Sequence, residues 1–198
     1  MINRKHKFIF IHIPKTGGTS IERALNIDPV HLSIDNLTGF LHNFGWLQHC
    51  TLQEMQLKFN LKLDNFLKFT VIRNPWDRMV SNYFYSKRRD PKKYSTFNEF
   101  VSEPKYANQY HQKHDLPQFD FVCDNQGKIN IDYFCRFENL QHDFNMICDK
   151  LQISRSQLPH TKKTNHKHYT EYYDDQTRQI VAERYAKDIK YFGYEFGL

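Results

Sequence analysis

The four cysteines of this chain, Cys50, Cys123, Cys135 and Cys148, include no C-x-x-C pair. That argues against a dithiol redox motif or a zinc ribbon, and the expectation is reduced, mostly buried thiols in a cytosolic protein. No apolar run approaches the ~20 residues of a membrane span. The run inside MINRKHKFIFIHIPK is only about six residues, includes His12 and is followed by no small-residue cleavage site, so it reads as a strand rather than a secretion signal. Repeats and long linkers are also missing. At 198 residues, with 25% charged and 16% aromatic, the chain suits one folded domain that needs no disulfide or metal staple. The formal net charge of +6 implies an anionic partner without choosing among nucleotide, nucleic acid, glycan and membrane surface.

The remaining pattern is strand followed by helix, repeated. KFIFIHI is a near-continuous β-favouring run of the kind buried on both faces of a parallel sheet. GGTSIERAL follows as a helix with Ile21 and Leu25 on one face. Residues 27–50 read as irregular, and TLQEMQLKF as a short helix in which Thr51 and Glu54 form a capping box. FLKFTVIR, residues 66–73, is a second strand. It leads into NPWDRMVSNYFYSKRR, with Asn74 as N-cap, Pro75 at the first helical position and Asp77 near the positive end. TFNEFVSEP and KYANQYHQ read as partly helical; FDFVC and the stretch around DYFCRF read as β-type runs. NLQHDFNMICDKLQI has helical spacing, and a closing helix starts at Asp174 or Asp175. This order predicts an α/β fold with a mostly parallel central sheet flanked by helices.

Two segments have more polar groups than a turn requires. In Lys15-Thr16-Gly17-Gly18-Thr19-Ser20 the glycines allow a tight turn, and the helix that follows opens with unpaired N–H groups. Lys15 adds a charge and Thr16, Thr19 and Ser20 add hydroxyls. The pattern departs from G-x-x-x-x-G-K-[ST], because the lysine precedes the glycines and no apolar strand ends in an aspartate to help hold magnesium. The second strand ends instead in Arg73, at the sheet end where α/β proteins bind ligands, and Ser81 lies about two turns into the next helix. Arg78 is a further cation with Asp77 or Glu22 as alternative partners.

HIPKTGGTS followed about fifty residues later by FTVIRNPWDRMVS resembles the sulfotransferases that use 3′-phosphoadenosine 5′-phosphosulfate (PAPS). The type is the carbohydrate sulfotransferase-2 group, related to the heparan and chondroitin enzymes. RFENL, LPHTKKTNHKHY and YYDDQTRQIVAERYAKDIKYFGYEF extend the likeness over nearly the whole chain. The resemblance implies a single P-loop-like domain over residues 1–198. It implies that Lys15 meets the transferring sulfuryl group, that Thr16, Gly17, Gly18, Thr19 and Ser20 hold the 5′-phosphate, and that Arg73 and Ser81 hold the 3′-phosphate. It also makes the basic loop a flap, with Lys163 and Thr164 over the donor. The histidine of QHCTLQEM, His49, becomes the general base; His42 and His12 are alternative histidines and Glu54 the carboxylate alternative.

The expected products are a sulfated hydroxyl, on a carbohydrate or glycolipid rather than a nucleic acid, and adenosine 3′,5′-bisphosphate (PAP), in the cytoplasm. No metal is expected: His111-x-x-His114 and His166-x-His168 lack a partnering Cys/Asp cluster. Two rival readings are a P-loop kinase acting on ATP and a non-catalytic polyanion-binding module that uses basic runs such as KRRDPKK.

Overall fold

The computed structural model describes residues 1–42, 44–61, 65–103, 112–159 and 166–198. In chain order its elements begin with β1 (Ile2–Asn3), β2 (Phe8–Ile11), α1 (Gly18–Ala24), β3 (Phe40–Leu41), β4 (Gly45–Trp46), α2 (Leu52–Leu57) and β5 (Leu67–Ile72). They continue with α3 (Pro75–Arg89), α4 (Phe97–Ser102), α5 (Gln112–Asp115), α6 (Gln118–Val122), β6 (Tyr133–Arg136), α7 (Leu140–Lys150), α8 (Asp175–Arg184) and α9 (Ala186–Phe192). The chain divides into two compact units, residues 1–72 with 118–161, and residues 73–117 with 162–198.

The first unit is built on a four-stranded sheet in the order β1-β2-β5-β6. β2, β5 and β6 run parallel, with Ile11 beside Thr70 and Ile72 beside Arg136, and β1 joins β2 antiparallel. All four residues of β2 are buried, as its unbroken apolar run requires. On one face Phe8, Phe10, Phe69, Val71 and Cys135 pack with Ile21 of α1 and with Phe144, Ile147 and Cys148 of α7. The Phe10 and Phe69 rings stack at 5.0 Å. Each such side chain contributes about 1.5–3 kcal/mol by burial. The architecture is the expected mixed α/β fold, a mostly parallel sheet with helices against it.

The second unit is helical. Asn74 caps α3 by accepting from the Trp76 N–H, Pro75 occupies the first position, and Asp77 lies in the first turn. Its core is aromatic: Trp76, Tyr83, Tyr94, Phe97, Phe100, Tyr169 and Tyr185 are all buried, with Met79, Val80, Val101 and Val181 among them. Side chains here donate to main-chain carbonyls, some of them within helices. Trp76 Nε1 donates to the Arg178 carbonyl, Tyr173 OH to the Trp76 carbonyl, and Arg184 to the Val101 carbonyl.

Several local expectations need correcting. FDFVC is mostly helical rather than β-type: Gln118–Val122 is helix α6, which buries Phe121 and Val122, and Cys123 alone makes a β-bridge, antiparallel to Ile129. A short apolar run fits either period, and tertiary burial decided it. The irregular stretch 27–50 includes the β3–β4 hairpin and a 3-10 turn, Leu47–His49. The closing helix breaks at Tyr185, whose side chain is buried and donates to the Asp115 carbonyl at 3.0 Å. The capping box at Thr51 and Glu54 is present, and Asp174 is the cap of α8. KYANQYHQ lies largely outside the described residues.

Candidate active site

In the first unit β2 ends at Ile11, and His12, Ile13 and Pro14 continue buried into the loop. Lys15 then takes the left-handed backbone region, φ +71°, and Gly17 takes it again at φ +86°. A lysine there costs about 1–3 kcal/mol, a strain that persists where its surroundings impose it. Gly17 cannot carry a side chain without strain. A Cβ on Gly18 would lie 2.2–2.3 Å from Cδ2 and Nε2 of His12, so only glycine fits. Two of the loop hydroxyls are used internally: Thr16 Oγ1 donates to the Ile13 carbonyl at 2.9 Å, and Ser20 Oγ to the Pro159 carbonyl at 2.8 Å. Thr16 is fully buried, so its hydroxyl braces the turn. Thr19 is half-buried in the first turn of α1.

His49 ends the 3-10 turn Leu47–His49. Its Nδ1 lies 3.0 Å from the His12 carbonyl oxygen. A carbonyl only accepts, so Nδ1 carries the hydrogen, and in the neutral ring the lone pair is on Nε2. The same His12 places its ring edge-on to His49, centroids 4.6 Å apart, and its Nδ1 2.6 Å from Glu22 Oε1. The alternative bases are placed otherwise. His42 is exposed between β3 and β4. Glu54 accepts from the Thr51 N–H and lies 3.8 Å from Lys58, its carboxylate closing the α2 cap. His12 is tied to Glu22.

In the second unit Arg73 is buried and its Nε donates to Asp77 Oδ2 at 2.7 Å, one turn along α3. Ser81 is buried on the same helix. Arg78 is also buried there. Its guanidinium donates to the Leu116 and His114 carbonyls and lies 5.8 Å over the Tyr185 ring, fixing the chain around α5. Lys163 and Thr164 lie outside the described residues.

A family model described as "Sulfotransferase family" matches residues 1–195. The chain belongs to the sulfotransferase family. An uncharacterized protein of Archaeoglobus fulgidus is 33% identical over 90 residues, 46% of this chain and 71% of that protein. No solved structure matches the chain.

For a sulfotransferase-family chain, three features of the site escaped the sequence reading. One is the buried Glu22–His12 pair, which joins residues ten apart across a loop. Another is the Arg73–Asp77 pair, foreshadowed only by the i,i+4 spacing. The last is Gln48, buried just before His49, whose Oε1 has no hydrogen-bond partner among the described residues. All four cysteines are buried thiols outside any disulfide. Burial, then the Asp143 carboxylate, pushes the Cys135 thiol far above the ordinary range, so it is no nucleophile. Among the described residues no group of three or more His, Cys, Asp or Glu side chains could hold a metal ion, and no helix is long and apolar enough to cross a membrane.

Proposed function

We propose that this family member transfers a sulfuryl group from PAPS to a hydroxyl of a carbohydrate or glycolipid acceptor in the cytoplasm, with His49 as general base. One observation carries the reading: the short segment His12–Lys15 meets both residues to which this reading gives the chemistry. Its His12 carbonyl fixes His49 with the base lone pair on Nε2, and three residues on it holds Lys15 in the left-handed turn. The match over residues 1–195 supports taking both units as one sulfotransferase domain.

The donor fits the residues present. Gly17 and Gly18 leave main chain without side chains at the loop, and Lys15 is a cation beside them. PAPS supplies a sulfuryl group on a phosphate leaving group. In this reading Lys15 offsets the charge that grows on the bridging oxygen, and main-chain N–H groups of Thr16 to Thr19, with the Thr19 hydroxyl, bind the 5′-phosphate, the Ser20 N–H being given to the Gly17 carbonyl. Arg73, oriented through Nε by Asp77, and Ser81 bind the 3′-phosphate. His49 Nε2 accepts the acceptor hydroxyl's proton as its oxygen attacks sulfur. Lys163 and Thr164 are assigned to the donor on the resemblance alone.

The test combines calorimetry with a labelled-sulfate transfer screen over glycans, glycolipids and cell extract. PAP should bind more tightly than ATP-magnesium; the reverse preference would sink the reading in favour of a kinase. Lys15→Ala should lower transfer about 100- to 1,000-fold, as loss of an oxyanion donor does. His49→Ala should lose turnover while still binding PAP, and normal turnover in that variant would move the base elsewhere.

A further inference from the structure

Glu22 and His12 are 2% and 6% exposed and meet at 2.6 Å. Removing two ionisable groups from water costs several kcal/mol each, and apolar residues of similar volume often pack as well. A strand–helix junction that needed only packing would not require them. The His12 ring is constrained on every side. Glu22 of α1 holds Nδ1, the Phe10 ring stacks on it at 5.6 Å, and the His49 ring meets it edge-on. Its Cδ2–Nε2 edge lies against Gly18, so closely that no Cβ could be inserted. Its own carbonyl takes the His49 Nδ1–H. One imidazole therefore touches both the glycine loop and the base candidate, and one carboxylate fixes that imidazole.

We propose that Glu22 and His12 are positioning residues: together they hold His49 in the Nδ1–H tautomer and seat Gly18, so that base and loop keep a common register. The functional part of this assignment rests on the reading of His49 as base; the structural part does not. Glu22 acts only through His12. His12 acts through its carbonyl, whose place is fixed by the clamped ring, and through ring contact with His49. If His12 were ordinary core, replacing Glu22 with an apolar residue of similar size would leave His49 unchanged.

The experiment uses the full chain with 15N-labelled histidine, the His49 ring signals being assigned by their loss in His49→Gln. Wild type should show His49 as the Nδ1–H tautomer; an even mixture or the Nε2–H form overturns the proposal with no variant needed. Glu22→Leu removes the acceptor but keeps bulk. It should mix the His49 tautomers and lower kcat about tenfold or more, part of the 10²–10⁴ that a general base contributes. Glu22→Gln keeps an oxygen for the His12 Nδ1–H and should restore most of both. Gly18→Ala should disturb the His49 tautomer in the same sense by displacing the His12 ring. Unchanged tautomer in Glu22→Leu and Gly18→Ala overturns the positioning role even if His49→Gln is inactive. A shifted tautomer with unchanged kcat, in a protein where His49→Gln also turns over normally, supports the positioning role and overturns the base.

Discussion

The two units solve the same burial problem with different materials. The sheet unit satisfies much of its main chain by strand pairing and fills one face with phenylalanine and aliphatic side chains. The helical unit fills its core with tyrosine, tryptophan and phenylalanine, and the polar ends of those rings donate to main-chain carbonyls, those of Arg178 and Trp76 within helices and that of Asp115 at a helix end. The first arrangement loses mainly volume when a core residue is cut back. The second also loses hydrogen bonds, because its core residues are polar at the tip. Polar groups cluster at the sheet unit's functional end too, but there the Glu22–His12 pair is linked to a candidate base rather than to a carbonyl of the core.

The largest expected effect is on the sheet unit. Phe144 is 1% exposed in the cluster that joins α7 to the sheet. Phe144→Ala should cost about 3–5 kcal/mol by lost burial and a residual cavity. The chain has two tryptophans, Trp46 in the sheet unit and the buried Trp76 in the helical unit. In a Trp46→Phe background, Trp76 fluorescence follows the helical unit alone. If the two units are one folding domain, Phe144→Ala should lower the denaturation midpoint read by Trp76 as much as that read by far-ultraviolet circular dichroism. A Trp76 midpoint that did not move would split the chain into independently stable parts.

A smaller effect tests the tyrosine tips. Tyr185 is 2% exposed, and its OH donates to the Asp115 carbonyl at 3.0 Å. Tyr185→Phe keeps the ring and removes that hydrogen bond, for an expected loss of about 0.5–1.5 kcal/mol. The matched sheet-unit change, Phe69→Leu, removes none and should behave as a simple volume loss. If Tyr185→Phe were neutral in chemical denaturation, the helical core would be held by ring packing alone, and the contrast between the units would vanish.

The same contrast governs what could be read from sequence. β2, the Lys15–Ser20 loop, β5 and the start of α3 were legible because each is a local pattern: an apolar run, then turn and cap residues. The likeness to sulfotransferases rested on those patterns, and the family match bears it out. The Asn74 and Asp174 caps were legible for the same reason. What failed were features decided by distant partners. All of FDFVC but Cys123 became part of α6, in which Phe121 and Val122 are buried. The last helix broke at Tyr185 because its hydroxyl reaches back seventy residues to Asp115. Arg78 had two acidic residues as nominal partners in sequence, and the two carbonyls it does donate to lie 36 and 38 positions away. His49 could be named from its neighbours in sequence, but the carbonyl that selects its tautomer comes from a residue 37 positions away.

The smallest effect concerns a cap rather than a core. Asp174 accepts from the Thr177 N–H at 2.7 Å, from its hydroxyl at 2.7 Å and from Asn98 Nδ2 at 2.6 Å. These bonds, the Thr177 N–H first, hold its carboxyl below the ordinary 3.8. The folded state therefore binds this proton less readily than the unfolded state. The stability that Asp174 contributes is complete above the unfolded value and is lost as pH falls through the lower folded value. Asparagine caps a helix nearly as well but does not titrate in this range. The wild type should therefore exceed Asp174→Asn slightly in thermal midpoint near neutral pH, with the gap closing below about pH 4 as the carboxyl protonates. A gap constant with pH would mean that cap geometry, not its charge, makes the difference, and would remove electrostatics from the account of how α8 begins.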